Sequence, residues 1–250
     1  MTVSSVVEEE VEVRTADGRA DAFFYRWTEG QRPGVIFFPD GIGTRASQRD
    51  MARRVAEHGY NVLLPNIYYR TARAPFFPPR PDFRDEKVRS RFGELTAPLS
   101  PVAMERDGSA YIDYLASRSE VSDGPMGVIG FCFSGAFALR TAAARPDRVA
   151  AAASFHGGGL YKDDASSPHT ALNRVRARLL IAHARDDRSM PSAAIASLDE
   201  ALAKWGGRYE SETYNAFHGW TVPDHTVYDK AEAERAFSSL IALFEATLSR

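Results

Sequence analysis

The single cysteine of the chain, Cys132, lies between an apolar run and an alanine-rich stretch, within Val128-Ile-Gly-Phe-Cys-Phe-Ser-Gly-Ala136. The run predicts a buried strand and the stretch a helix, so Cys132 should stand on a sharp strand-to-helix turn. Such a turn lifts a nucleophile above a sheet, and it needs small neighbours, which Gly130, Ser134 and Gly135 supply. The helix N-terminus favours a thiolate there. We therefore predict that Cys132 is a nucleophile.

Two alternatives exist for this segment. Lone cysteines are more often buried apolar residues than reactive groups. Ser134 is a second candidate nucleophile, but it falls two residues into the predicted helix, where its hydroxyl would point sideways. Both alternatives fit the turn less well than a nucleophilic Cys132.

An acid and a histidine follow later predicted strands. Asp186 and Asp187 come after the apolar run Leu179–His183, and the acid in such a turn usually stands four residues before the proline that opens the next helix. Pro191 therefore selects Asp187, whereas Asp186 is expected to stay in the turn or cap the helix. His218 follows the last predicted strand and is the expected general base.

The five other histidines have different predicted places. His58 ends a helix beside its terminal carbonyls, His183 lies in a strand, and His169 lies in a polar loop. His225 is a more distant alternative base, and His156 is predicted to line the substrate pocket because it ends a strand near the site. The histidines lack the spacing of a zinc motif, so we predict no metal.

A glycine-bearing segment, Phe38-Pro-Asp-Gly-Ile-Gly43, follows an early predicted strand. The backbone N–H groups of Gly41 and Phe133 are predicted to stabilise a developing oxyanion. The segment His156-Gly-Gly-Gly159 is similar to the oxyanion-hole segment of some lipases, but that segment precedes the nucleophile. Here it follows Cys132, so we do not assign it this role.

Short apolar runs alternate with amphipathic stretches, the pattern of a mostly parallel central sheet with helices on both faces. An antiparallel pair opens the chain, with Val11–Val13 and Ala22–Tyr25 on either side of Asp17-Gly18. Further strands are predicted at Gly34–Phe38, Asn61–Leu64, Met126–Gly130, Val149–Phe155, Leu179–His183 and Tyr209–Tyr214, and helices at about 47–58, 102–117, 132–144, 192–204 and 231–248. We find no linker, so residues 1–250 are predicted to form one α/β domain.

The stretch from about 69 to 101, the excursion, breaks this alternation. It is rich in proline and carries Arg80, Arg84, Arg89 and Arg91. Connections this long are usually functional, so we predict a lid or a pocket wall. The alternative is a solvated loop without a role.

The composition limits the classes of function. The chain has 250 residues and a net charge of −2, which gives no basic field for nucleic acid. One cysteine allows no internal disulfide and fits a reducing compartment, and no apolar run approaches the ~18 residues of a membrane helix. The first residues lack the order of a secretory signal. We expect a cytoplasmic protein, either a monomer or a small homo-oligomer, without nucleic-acid or membrane partners.

These motifs resemble the dienelactone hydrolase family, and Pro65-Asn-Ile-Tyr-Tyr-Arg70 is similar to a family segment after the same strand. The resemblance implies an α/β-hydrolase fold and cofactor-independent carboxymethylenebutenolidase chemistry, the hydrolysis of a dienelactone to maleylacetate. It also implies that Asp40, at the position of a family glutamate, activates the thiol. The chain departs from the family at Val222, where the family has an arginine for the substrate carboxylate, and at Ser134, which replaces a glycine.

The predicted function is hydrolysis of a small ester or lactone through Cys132, His218 and Asp187, with a thioester intermediate and no cofactor. Arg70, His156 and Trp220 are the candidate pocket residues. Val222 favours neutral substrates over carboxylate-bearing ones. The alternatives are a general short-chain carboxylesterase or thioesterase, and a non-catalytic binding protein on the same scaffold.

Overall fold

A computed structural model describes residues 5–248 and contains one eight-stranded sheet. The strands lie in the order β1-β2-β4-β3-β5-β6-β7-β8. Their bounds are β1 Val6–Thr15, β2 Gly18–Trp27, β3 Gly34–Phe38, β4 Asn61–Pro65, β5 Met126–Phe131, β6 Val149–Phe155, β7 Arg178–Ala184 and β8 Tyr209–Tyr214. Strand β2 runs antiparallel to β1 and β4, and the strands from β4 to β8 are parallel. The predicted α/β architecture with a mostly parallel sheet is confirmed.

Helices cover both faces of the sheet, as predicted. Their bounds are α1 Ala46–Glu57, α2 Glu86–Thr96, α3 Pro101–Ala116, α4 Gly135–Ala144, α5 Ser192–Trp205 and α6 Lys230–Leu248. Buried side chains of α1 and α6 pack on one face, and those of α3, α4 and α5 pack on the other. Because both faces are covered, every residue of β3, β4 and β5 is buried. This explains why these strands read as continuous apolar runs rather than as alternating ones.

The opening pair is longer than the sequence suggested. Strands β1 and β2 pair along their whole length, from Val6 opposite Trp27 to Thr15 opposite Gly18. Each has ten residues, but the alternating charged residues of β1 hid most of it. This pair lies at the edge of the sheet farthest from β8.

The excursion contains a helix, α2, that we did not predict. The side chain of Asp85 accepts a hydrogen bond from the Lys87 backbone N–H and so caps its N-terminus. Val88 and Leu95 of this helix are buried. The cap and the helical spacing of the apolar residues were the available signals, which the surrounding prolines obscured.

Candidate active site

Cys132 stands on a strained turn between β5 and α4. Its φ angle is 53°, a left-handed conformation that costs free energy for a non-glycine residue. A Cβ atom on Gly130 would lie 2.1 Å from the carbonyl oxygen of Ser134, and one on Gly135 would lie 2.3 Å from Oγ of Ser154. Both positions therefore need glycine. The side chain of Cys132 is partly exposed at this turn.

His218 connects this thiol to an acid. Its Nε2 lies 3.0 Å from Sγ of Cys132, and its Nδ1 lies 2.6 Å from Oδ2 of Asp187. The other carboxylate oxygen of Asp187 accepts hydrogen bonds from the backbone N–H and the hydroxyl of Ser189, at 2.8 and 2.7 Å. Asp186, the competing acid, is exposed and has a φ angle of 51° in the turn. The structure thus brings together the three residues selected from the sequence, with Ser189 as an unpredicted support.

The charges in this group stabilise one another. Burial lowers the pKa of His218, but the Cys132 thiolate and Asp187 outweigh it and raise that pKa to about 10. Burial likewise raises the pKa of Asp187, and the hydrogen bond and charge of His218 bring it below its ordinary value. The raised pKa of His218 and the lowered pKa of Asp187 favour a protonated imidazole beside a charged carboxylate. An imidazolium next to a cysteine favours the thiolate, which is the nucleophilic form.

Ser134, the competing nucleophile, has a structural position. Its side chain is fully buried, its hydroxyl accepts a hydrogen bond from the backbone N–H of Phe131 at 2.9 Å, and it donates to the carbonyl of Phe38 at 2.9 Å. It therefore joins the turn around Cys132 to β3. A hydroxyl held in this way is not available to a substrate.

The two residues whose amides are predicted to hold an oxyanion lie close to each other. A Cβ atom on Gly41 would be 3.9 Å from Cβ of Phe133, so the two residues are neighbours. Within residues 5–248 the Gly41 N–H makes no hydrogen bond, and the Phe133 N–H belongs to the first turn of a short 3-10 segment, Cys132–Ser134, where amides have no intrahelical partner. The Gly41 carbonyl accepts a hydrogen bond from the hydroxyl of Tyr68 at 2.9 Å, which orients this loop.

Asp40, to which the family resemblance assigns activation of the thiol, has several partners of its own. Its carboxylate is buried and bonds to the Arg45 guanidinium at 2.7 and 2.9 Å, to Gln48 at 3.2 Å and to the Ile42 N–H at 2.9 Å. Nε2 of His225 lies 3.3 Å from the same carboxylate. Burial raises the pKa of Asp40, but His225 and Arg45 hold it well below its usual range. These partners hold the carboxylate in place, and its activation of Cys132 stays a prediction.

Arg45 contacts both loops that carry the site. Besides Asp40, its guanidinium bonds to both carboxylate oxygens of Asp224, at 2.7 and 2.9 Å. Asp40 follows β3, whereas Asp224 and His225 lie in the segment after β8 that begins near His218. His225 thus belongs to this ion-pair network rather than serving as an alternative base.

The three candidate pocket residues, Arg70, Trp220 and His156, have contacts with other parts of the fold. The guanidinium of Arg70 is bonded to Asp17 and Asp107, with shortest distances of 2.7 Å to each. Trp220 is fully buried, and its ring stacks on Tyr214 with centroids 4.7 Å apart. His156 is also fully buried, whereas Arg70 is partly exposed, and a substrate contact for any of the three stays a prediction.

His156 lies directly behind the histidine of the site. The two rings meet edge to face with centroids 5.1 Å apart, and Nε2 of His156 lies 2.7 Å from Oγ1 of Thr221. Burial lowers the pKa of His156 well below its ordinary value, so this ring is neutral. It packs against His218 without adding a second positive charge.

Other ligand sites are not evident in the part of the chain that the structure describes. Between residues 5 and 248, no group of three or more His, Cys, Asp or Glu side chains is arranged to hold a metal ion. Over the same range, no helix has the length and apolar character needed to cross a membrane.

The strand order, with a cysteine after β5, an aspartate after β7 and a histidine after β8, defines an α/β-hydrolase. A family model described as the dienelactone hydrolase family matches residues 20–248. The chain therefore belongs to the dienelactone hydrolase family, as the sequence motifs indicated, and is a hydrolase.

Known proteins with similar sequences cover most of the chain. A Synechocystis protein, provisionally named carboxymethylenebutenolidase, is 29% identical over 223 residues, 88% of each chain. The carboxymethylenebutenolidase of Rhodococcus opacus is 28% identical over 227 residues, 88% of this chain and 83% of its own. A crystal structure from Klebsiella pneumoniae, provisionally named dienelactone hydrolase, has a TM-score of 0.85 at 21% identity and covers 96% of this chain and 98% of its own.

Proposed function

We propose that the protein hydrolyses small esters or lactones through a Cys132–His218–Asp187 triad and a thioester intermediate. The observation that carries this proposal is the continuous contact from Sγ of Cys132 to Nε2 of His218 and from Nδ1 to Asp187, at 3.0 and 2.6 Å. A relative named carboxymethylenebutenolidase, which the chain matches over 88% of its length, supports an ester or lactone as the substrate.

Acylation begins when the Cys132 thiolate attacks the carbonyl carbon of the substrate. A C–S bond forms, and the negative charge moves to the carbonyl oxygen, where the N–H groups of Gly41 and Phe133 stabilise it. The C–O bond to the leaving group then breaks, and His218 gives its Nε2 proton to the departing alkoxide. In a lactone the alcohol remains attached to the acyl group. Acylation therefore opens the ring, and the product is released only when the thioester is hydrolysed.

Deacylation reverses these roles with water. Neutral His218 takes a proton from a water molecule, and the resulting hydroxide attacks the thioester carbonyl. The C–S bond breaks, the carboxylic acid leaves, and the thiolate–imidazolium pair forms again. Asp187 keeps the imidazole oriented throughout and stabilises its positive charge. Every step uses side chains of this chain and water.

The acyl-enzyme provides a direct test. We expect hydrolysis of p-nitrophenyl acetate by the wild-type protein, a loss of several powers of ten in kcat/KM for Cys132→Ala, and retained activity for Ser134→Ala. Rapid acid quenching followed by mass spectrometry should find one acetyl group on the peptide that contains Cys132. Unchanged turnover in Cys132→Ala would refute the cysteine mechanism, and a wild-type protein that binds esters without cleaving them would favour a binding function.

The same assay separates the substrate classes. A dienelactone and a neutral lactone of similar size distinguish a carboxymethylenebutenolidase from a general short-chain esterase, and an acyl thioester tests for thioesterase activity. We also infer a cytoplasmic location, because the one cysteine is a free thiol that requires a reducing environment to remain reactive.

A further inference from the structure

A series of aromatic rings leads from the surface of the excursion to the residue after the nucleophile. Phe77 and Phe83 have ring centroids 5.9 Å apart, and Phe83 and Phe92 are 5.6 Å apart. Phe92 in turn meets Phe133 edge to face at 5.6 Å. We call these four residues the aromatic wall. Phe83 is 40% exposed and the other three are partly exposed, so part of the apolar surface of the wall is accessible to solvent.

The wall reaches the position of the reacting carbonyl. A Cβ atom on Gly41 would lie 3.0 Å from Cε2 and 3.6 Å from Cζ of Phe92, so the Phe92 ring covers the loop that carries the Gly41 amide. Phe133 is joined directly to Cys132 in the chain. A substrate whose carbonyl oxygen approached these amides would therefore have its adjacent substituent against Phe92 and Phe133.

Most positive charges of the excursion have other partners. Arg84 bonds to Asp82 at 2.8 Å, Arg91 bonds to Glu94 at 3.0 Å, and Arg89 donates to the carbonyl of Phe83 at 3.3 Å. Val222, which stands where the family resemblance implies an arginine, is fully buried. A substrate carboxylate beside the wall would lose hydration, and Arg84 and Arg91, which are paired with acids, would not replace it, which is unfavourable.

We infer that the aromatic wall selects esters and lactones that carry a neutral, flat apolar group beside the carbonyl, and discriminates against those that carry a carboxylate there. This inference rests on the proposed ester hydrolysis. Aromatic rings prefer edge-to-face or offset contacts with other rings, and such contacts add to the burial of apolar area. Phe92 is the central specificity residue because it contacts both the Gly41 loop and Phe133.

The test compares three ethyl esters with the same leaving group: ethyl phenylacetate, ethyl acetate and monoethyl succinate. The variant Phe92→Leu keeps an apolar side chain but loses the ring. We expect its kcat/KM for ethyl phenylacetate to fall about tenfold, mainly through KM, while that for ethyl acetate changes less than about twofold. A wall that binds the phenyl group produces this selective change, whereas a purely structural residue would affect both substrates alike.

Two further variants support the comparison. Phe83→Ser removes an exposed ring and should weaken ethyl phenylacetate hydrolysis to a smaller extent without affecting the fold. Phe237→Leu is the matched control, because this phenylalanine lies on α6 and packs on the opposite face of the sheet from the wall. It should leave the ratio between the two substrates unchanged.

Two results would overturn this inference while leaving the proposed ester hydrolysis intact. The first is an equal loss for both neutral esters in Phe92→Leu. The second is a wild-type preference for monoethyl succinate that disappears in Arg80→Ala or Lys162→Ala, since one of these exposed cations would then bind the carboxylate. Failure of the wild-type protein to hydrolyse any of the three esters would instead overturn the proposed function, and this inference with it.

Discussion

Nε2 of His218 lies 3.0 Å from Sγ of Cys132, although the two residues are 86 positions apart in the chain. The contact joins the turn after β5 to the segment after β8, and Asp187 holds the other side of the imidazole. Because the thiolate and the carboxylate flank one imidazolium, each charge stabilises the next. The protonation of His218 and the reactivity of Cys132 are therefore coupled.

This coupling predicts how thiol reactivity depends on pH. The pKa of His218 is raised from 6.5 to about 10, so the imidazolium is fully formed at neutral pH and loses its proton as the pH rises through about 10. The stability that the ion pair contributes follows the same course: it is complete below about pH 6.5 and is lost on passing about pH 10. Since the imidazolium beside the thiol persists over this range, we expect the alkylation rate of Cys132 by iodoacetamide to change less between about pH 7 and 9 than in a variant that lacks His218.

The control for this experiment is His218→Asn. Without the imidazolium, thiolate formation depends on bulk pH alone, so the alkylation rate should be lower at neutral pH and rise through the alkaline range. A wild-type profile that rises in the same way as the variant's would contradict the ion pair.

The two adjacent aspartates should differ sharply in their effect on activity. Asp187→Asn removes the charge that orients and stabilises the imidazolium, and we expect kcat to fall by about two to four powers of ten. Asp186→Asn changes an exposed turn residue and should leave kcat within about twofold. Steady-state kinetics on one activated ester decide between them. Comparable losses of kcat in both variants would mean that activity depends on the conformation of the turn rather than on the charge of Asp187.

Ser134 should affect stability rather than chemistry. Ser134→Ala leaves the Phe131 N–H and the Phe38 carbonyl without their buried partner, so the free energy of unfolding should fall by about 1–3 kcal/mol. Urea denaturation measures this change, and kcat at low temperature should remain near the wild-type value. Ser109→Ala, at a partly buried hydroxyl on α3, is the control with an expected loss below about 1 kcal/mol.

Arg45 should contribute more to the free energy of unfolding than Arg49, the arginine with which it shares helix α1 and its N-terminus. Arg45→Met leaves the buried carboxylate of Asp40 without its main partner, and we expect a loss of about 3–5 kcal/mol in the free energy of unfolding. Arg49→Met on the same helix is the matched control, since Arg49 is 41% exposed and its partner Glu8 also binds Arg53. This control should lose less than about 1 kcal/mol. Similar losses in both would show that the Asp40 network adds little.

Several elements were predictable because each depends on residues close together in the chain. The bounds of β3 and β6 match the apolar runs from which they were predicted, and those of β8 match the predicted Tyr209–Tyr214. The positions of Cys132, Asp187 and His218 also follow from local sequence, since each comes directly after a strand. The carboxyl ends of parallel strands meet at one edge of a sheet, so residues at these ends become neighbours once the sheet forms.

The features that the sequence could not predict concern side chains whose partners come from elsewhere in the fold. Asp40 matched the position of a family acid, but Arg45 and His225 surround it in the structure. Arg70 is paired with Asp107 and Trp220 is fully buried, so the surroundings of both depend on distant elements. Helix α2 was missed because the prolines that precede it and its own charges resemble those of a loop.

The sequence by itself determined the α/β class, the strand-to-helix turn at Cys132 and the places of Cys132, Asp187 and His218 after successive strands. Only the tertiary structure decided that Arg45 neutralises Asp40, that Ser134 braces the turn, and that Phe92 covers the Gly41 loop. The physical reason is the range of the interactions. A strand, a turn or a helix depends on the conformational preferences of neighbouring residues, whereas an ion pair or a ring contact depends on which distant loops meet when the sheet and its helices pack.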